Sequence, residues 1–527
     1  MNQVRSFRLT NHLFAAAAVT ALAACGGGNE SAPAPAQSFA SVTAQQACNT
    51  LQGKSAGGAT VSAAAMVAET ATVPTYCKIS ALIAPKLNME LRLPASWNGK
   101  LHYGGGGGYN GAIPALNTPA LSAGYAQVAS DSGHQGGGLD ASFVLNDSYA
   151  AYLFGSGSVP TVASAAKELI ELAYAKVPDR TYFEGCSNGG REGLMAAQRN
   201  PSLFDGVIAR APAYNWVGLF GHFNLNAKAV AAPNAAFSTA KIGLLTGAVR
   251  AACDANDGVV DGLVSNLAAC MFNPAVLRCT GGADTGDSCL SDAQLNVVTT
   301  WTGPASFSAG AYTNSGWSLT GNEDDPGAWR AWLTGPNSNG TGAVQTGFQD
   351  TTVKNYLARD PSVNSLTYVW DSNPAAIYGM AALNEANNAD LRPFINSGGK
   401  LILWHGTNDP AISYKGTVEY HQRVGQQVGQ AALAQFSRLY IAPGVNHCAG
   451  GPGADNADLL TPLDAWVTQG TAPGQLTATK FNADRSVALT RPLCTYPQYS
   501  RYTGPANDLN AAKLAQNYTC TTPTHGE

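Results

Sequence analysis

The chain has 527 residues, 45% of them hydrophobic, enough to bury a large core and, at roughly 150 residues per domain, to allow two to four units. Charged residues make up only 12% and the formal net charge is −4, which argues against nucleic acid or an anionic membrane surface as partner. Small-molecule chemistry is the class that remains.

At the N-terminus, Arg5 and Arg8 precede an apolar run from Leu13 to Leu22 that ends Leu22-Ala23-Ala24-Cys25. This resembles a bacterial lipobox, so residues 1–25 are expected to be a signal peptide with Cys25 acylated as the mature N-terminus. An ordinary cleaved signal peptide on a secreted protein is the alternative. Residues 26–40, rich in Gly, Ala, Ser and Pro, have the composition of a tether. No later apolar run approaches the ~20 residues of a membrane span. Without Cys25, the 11 cysteines leave an even ten, suited to an oxidising compartment. Parity does not determine five pairings. Nearness suggests Cys48–Cys77, Cys253–Cys270, Cys279–Cys289 and Cys494–Cys520, leaving Cys186 and Cys448 as a long-range pair.

From residue 41 a short segment leads to strands at 89–94 and 101–103, the second running into Gly104 to Gly108, then Tyr109, Asn110 and Gly111. So many glycines permit close backbone approach and leave N–H groups able to face an anion. A strand at 125–130 and a helix over 161–177 follow. Next, Arg180 to Cys186 reads as a strand, Ser187 as the tip of a sharp turn, and Asn188 onward as a helix. Gly185-Cys186-Ser187-Asn188-Gly189 fits G-x-S-x-G, the nucleophile elbow. With a strand at 206–211, the order β, α, β, α, β predicts a doubly wound, mostly parallel sheet. Residues 41–213 are read as the first part of an α/β core. In residues 214–387 the alternation is lost, and this stretch is read as an inserted lid. Residues 388–527 resume the core, Leu391 to Phe394 marking its return, with strands at 399–404 and 439–441.

An elbow serine needs an acid and a base in the order Ser, Asp, His, each beyond the end of a strand. Asp409 follows the strand at 399–404, and His447 follows the one at 439–441; His405 and His134 are rivals. The half-holes for a tetrahedral oxyanion would be the N–H of Asn188 and that of a glycine in 104–108, with Gly107 or Gly108 favoured. Cys186 precedes the serine and Cys448 follows the histidine, so a working Ser187–His447 pair would bring the two cysteines within bridging range.

Gly185 to Arg191 (GCSNGGR), His405 to Pro410 (HGTNDP) and Asn446-His447-Cys448 together resemble the tannase and feruloyl esterase family, over nearly the whole mature chain. The resemblance implies an α/β-hydrolase core with a lid, serine carboxylic-ester hydrolysis and a structural Ca²⁺. Cys253 to Leu263 offers Asp254, Asp257 and Asp261, hard oxygen ligands in one short loop. Following the family pattern, the carbonyls of Val259 and Leu263 would complete the site. The family acts on aromatic esters, for which Trp329, Trp332, Phe348 and Trp370 in the lid are available to stack. Ile412 is expected beside the triad, and Arg330 is a cation for a substrate carboxylate. The expected activity is hydrolysis of phenolic-acid esters. The alternatives are hydrolysis of terephthalate half-esters and a non-catalytic phenolic-binding lipoprotein.

Overall fold

A computed structural model describes residues 42–524. Cys25 and the 26–40 tether lie outside the described residues. A ten-stranded sheet forms the centre: β1 (Ser55–Ala56), β2 (Ala59–Val67), β3 (Tyr76–Ile83), β4 (Leu87–Pro94), β5 (Lys100–Gly104), β6 (Ala126–Ser130), β7 (Arg180–Cys186), β8 (Gly206–Arg210), β9 (Lys400–Gly406) and β10 (Ser437–Ala442). The spatial order is β1-β2-β3-β4-β6-β5-β7-β8-β9-β10. β1 to β4 form an antiparallel meander and β4 pairs antiparallel with β6; the remaining neighbours are parallel. The expected α/β architecture is therefore present, with an antiparallel edge longer than the sequence suggested.

β9 reads Lys-Leu-Ile-Leu-Trp-His-Gly and is buried from Leu401 to Gly406, as a central parallel strand covered on both faces requires. The chain leaves β5 outward to β6 and then returns to β7 on the other side. The crevice where this order reverses, at the carboxyl ends of β5 and β7, is where such sheets place their ligand. One face is covered by α1 (Ser158–Tyr174) and α2 (Asn188–Arg199), within a core containing Leu101, Val162, Leu169, Phe183 and Leu403. Ile208, Trp404, Tyr440 and Leu463 fill the opposite face.

Residues 214–387 are mainly helical, with one small hairpin, Ala305–Phe307 with Tyr312–Asn314. They carry an aromatic core of their own, yet they belong to the same unit as the sheet. Two details differ from expectation. Arg392–Asn396 is a short helix rather than the start of an alternating segment, because Pro393 at its first turn is tolerated in a helix and not in a central strand. The C-terminus also adds two antiparallel hairpins, Leu476–Phe481 with Val487–Leu493 and Tyr499–Tyr502 with Tyr518–Thr521, the second packing Tyr502 and Tyr518 against Val259.

Candidate active site

Ser187 lies between β7 and α2 with φ 62° and ψ −122°, a left-handed backbone that a serine adopts only when its surroundings impose it. Three backbone hydrogen bonds do so: its N–H donates to the Arg210 carbonyl, and its carbonyl accepts from the N–H groups of Arg191 and Ala213, all within 3.0–3.1 Å. The flanking glycines are needed because a Cβ on Gly185 would sit 2.5 Å from the backbone of Gly189. A Cβ on Gly189 would in turn meet the Gly106 carbonyl oxygen at 2.8 Å. Strand, elbow helix and glycine loop thus touch backbone to backbone.

Beyond β9, Asp409 is 2% exposed and its carboxylate is fully engaged. Oδ1 accepts from the N–H groups of Ala411 and Ile412, each at 2.8 Å. Oδ2 accepts from His447 Nδ1 at 2.8 Å and His405 Nε2 at 3.1 Å. Burial alone would raise the Asp409 pKa, but His447 and His405 outweigh it and hold the carboxyl well below the usual range. Asp409 occupies His447 Nδ1, so Nε2 is the ring nitrogen through which His447 can serve a nucleophile. His405, fully buried, also pairs Nδ1 with the Thr417 hydroxyl at 2.7 Å, so both of its ring nitrogens are engaged and it buttresses Asp409. His134 is stacked on Phe143, centroids 3.7 Å apart.

The acid and base loops are sewn together. Thr407 N–H donates to the Ala442 carbonyl, Asn408 N–H to the Val445 carbonyl, and Asn408 Nδ2 to Asn446 Oδ1 at 2.6 Å. The Cys186–Cys448 disulfide then ties this pair of loops to the elbow, its Cα atoms 5.9 Å apart. The other four expected pairs, Cys48–Cys77, Cys253–Cys270, Cys279–Cys289 and Cys494–Cys520, are also bonded. Five disulfides suit an oxidising compartment, and among the described residues no helix is long and apolar enough to cross a membrane.

Most backbone N–H groups of the glycine loop already have acceptors. The N–H groups of Gly105, Gly106, Tyr109 and Asn110 go to the Glu184 carbonyl, Glu192 Oε2, the Gly138 carbonyl and the Gly107 carbonyl. Among the described residues those of Gly107 and Gly108 meet no acceptor, and Gly108 lines the cavity above Ser187. Asn188 supplies the first N–H of α2, one of the groups a helix leaves unpaired at its start.

That cavity is walled by Ala213, Leu219, Phe220, Phe223, Trp332, Phe348 and Ile412, with Trp216 behind. Trp332 stands edge-on to His447, centroids 5.2 Å apart, and stacks with Phe348. Of the residues singled out from sequence, Trp332, Phe348 and Ile412 line the slot. Trp329 and Trp370 do not: Trp329 is 1% exposed against Phe237 and Trp301, and Trp370 packs on Phe307. Arg330 is corrected too, being exposed with its guanidinium on the Thr239 hydroxyl. Trp216, Phe220 and Phe223 were missed. They lie on α3 (Trp216–Ala231), which is buried on nearly every side and so carries no amphipathic signature.

In the acidic loop, Asp254 and Asp257 are buried, and Asp254 Oδ1 is an orphaned buried oxygen among the described residues. Arg491 pairs with Asp261. Among the described residues no three side chains converge as a metal site by themselves, so a cation here would need backbone carbonyls as well. The donor set, all oxygen in a loop with Gly258 and Gly262 at positive φ, fits a hard cation such as Ca²⁺.

A family model described as tannase and feruloyl esterase matches residues 70–521. The mono(2-hydroxyethyl) terephthalate hydrolase of Piscinibacter sakaiensis is 35% identical, covering 88% of this chain and 87% of that protein. A probable feruloyl esterase of Arthroderma benhamiae is 32% identical over 81% of each. Among solved structures, feruloyl esterase B from Aspergillus oryzae superposes with a TM-score of 0.79 at 23% identity, covering 90% of this chain and all of the other. The tannin acyl hydrolase of Aspergillus niger does so at 0.71 and 21%, over 92% and 95%. The elbow, the Asp–His pair and the sheet order thus agree with the sequence relationship: the chain belongs to the tannase and feruloyl esterase family of carboxylic-ester hydrolases.

Proposed function

We propose that the chain hydrolyses esters of uncharged aromatic acids, of hydroxycinnamate or galloyl type, through an acyl-enzyme on Ser187. His447 Nε2 takes the Ser187 proton as Oγ attacks the ester carbonyl, and Asp409 orients the imidazole and stabilises its cation. The N–H groups of Asn188 and of Gly107 or Gly108 receive the oxyanion. His447 then protonates the departing alcohol, and water releases the acid by the same steps in reverse.

The observation that carries this reading is the slot itself: above Ser187 it is lined by Phe220, Phe223, Trp332, Phe348, Leu219 and Ile412, with no cationic side chain among the described residues that line it. An aromatic ring gains stacking and desolvation there. A terephthalate half-ester would bring a carboxylate into the same slot unpaired, at a cost of several kcal/mol. Turnover of methyl ferulate, methyl gallate and mono(2-hydroxyethyl) terephthalate at equal concentration tests the choice. The two methyl esters are expected to lead by at least tenfold, and a lead for the half-ester would reverse it. Fluorophosphonate labelling that fails on the intact protein would instead support a non-catalytic phenolic binder.

We also propose that Ca²⁺ is held by Asp254, Asp257 and Asp261 with the carbonyls of Val259 and Leu263. The buried Asp254 and Asp257 carboxylates and the orphaned Asp254 oxygen support it. When bound, the ion would neutralise the loop and cross-link it, a stabilising role remote in sequence from Ser187. Export with Cys25 acylated and residues 26–40 as tether remains part of the proposal.

A further inference from the structure

We propose that Glu192 is a positioning residue that sets the gap between the two halves of the oxyanion hole; this rests on the ester-hydrolase reading above. The donors for the oxyanion come from segments about 80 residues apart in sequence, the loop after β5 and the first turn of α2. Their catalytic value depends on holding both at hydrogen-bond distance from one oxygen, and a displacement near 1 Å costs on the order of a hundredfold in rate. Glu192 touches both segments. It lies one turn along α2 from Asn188 and is 4% exposed. Oε2 accepts the N–H of Gly106 at 3.0 Å, next to the free N–H of Gly107. Oε1 accepts Asn188 Nδ2 at 3.1 Å and Asn110 Nδ2 at 3.4 Å.

Asn188 is gripped from its other side by Arg191, whose Nε donates to Asn188 Oδ1 at 2.7 Å. The guanidinium of Arg191 is spent on the carbonyls of Phe154 and Gly155 and sandwiched against Phe154 and Trp216. Asn110, at the far end of the glycine loop, also accepts from Asn188 Nδ2 at 3.3 Å. Elbow and loop are in backbone contact through Gly189, Gly105 and Gly106, with no room for side chains. A carboxylate is an expensive group to bury, and an apolar residue there would serve packing better. Its two oxygens, Oε2 on the glycine loop and Oε1 on Asn188 and Asn110, fix the spacing that glycine backbones alone would leave loose.

The test uses Glu192→Asp and Glu192→Gln in the full chain. The aspartate keeps the carboxyl group but withdraws it by one methylene; the glutamine keeps the reach but loses one of the two acceptors. Four quantities are read for each: kcat and KM on methyl ferulate, the inhibition constant of phenylboronic acid, that of ferulate, and the melting temperature. Phenylboronic acid adds the Ser187 oxygen and presents a tetrahedral anion to the hole, whereas ferulate reports only the aromatic slot. In Glu192→Asp, kcat is expected to fall about 10- to 100-fold and the boronate to weaken by the same factor. KM and ferulate binding should stay within about twofold, and Glu192→Gln should lie between this variant and the parent. A kcat within twofold of the parent, or boronate and ferulate weakening together, would overturn the proposal. Should Glu192→Asp fail to fold, unchanged kcat and boronate affinity in Glu192→Gln would overturn it alone. A parent protein that neither turns over an ester nor reacts with fluorophosphonate would sink the esterase reading instead.

Discussion

Replacing Cys186 and Cys448 together with alanine separates what the disulfide does for stability from what it does for catalysis. The bridge closes a loop of 262 residues, and loop-closure entropy for that length is worth about 5 kcal/mol. Unfolding entropy of about 2.1 cal/mol/K per residue gives a 527-residue chain about 1 kcal/mol per kelvin, so the melting temperature should fall by about 5 °C. The catalytic effect is separate. Without the bridge Ser187 keeps its three backbone hydrogen bonds, and His447 keeps Asp409, but each half is then anchored only to its own strands. At 25 °C, kcat on methyl ferulate should fall about tenfold or more while KM changes little. The double variant avoids a stranded thiol, and calorimetry with steady-state kinetics reads both effects. A melting shift under 1 °C with kcat within twofold of the parent would refute the idea that this bridge holds nucleophile and base together.

Other consequences follow from the same geometry. Glu184, beneath the elbow, bonds Arg210 at 2.8 Å and His102 at 3.3 Å. Burial alone would raise its pKa, but Arg210 and then His102 hold it down from 4.5 to about 2. Its stabilisation is therefore full above the unfolded value of about 4.5 and lost as pH falls toward 2; that displacement is worth about 3 kcal/mol, and Glu184→Gln should flatten the urea midpoint over this window. Phe348→Arg puts a cation into the slot, and the ratio of half-ester to ferulate turnover should rise about tenfold; an unchanged ratio would count against the specificity argument. Chelation with EGTA should lower the melting temperature by several degrees and Asp257→Ala should abolish that response, whereas a melting temperature indifferent to EGTA would remove calcium from the account.

Much of the candidate site was legible because each residue type had to stand at a particular place. A serine between two glycines after a strand, an aspartate beyond β9 and a histidine beyond β10 satisfy a chain order, and the even cysteine count supplied a cross-check on two of them. The parallel half of the sheet was legible from its buried apolar strands, such as Leu401 to Trp404. What failed was direction. Trp329 and Trp332 are three residues apart, but Arg330–Thr334 is a wider π-helical turn, and this sends one indole into the aromatic core of residues 214–387 and the other over His447. Arg330, on the same turn, points to solvent. The aromatic wall of α3 gave no periodic signal because the helix is enclosed on nearly all sides. The glycine run had no register in sequence; only the fate of each neighbouring N–H separates Gly107 and Gly108 from the rest.

The proposed mechanism makes Ser187, served by His447 and Asp409, the nucleophile of an ester hydrolase. Mass spectrometry of the fluorophosphonate-treated protein, with methyl ferulate turnover of Ser187→Ala, tests it most directly. A single adduct is expected on the peptide containing Ser187, with a loss of kcat of about 10⁴-fold or more in the variant and ferulate affinity unchanged. Turnover surviving in Ser187→Ala, or an adduct on another residue, would contradict it.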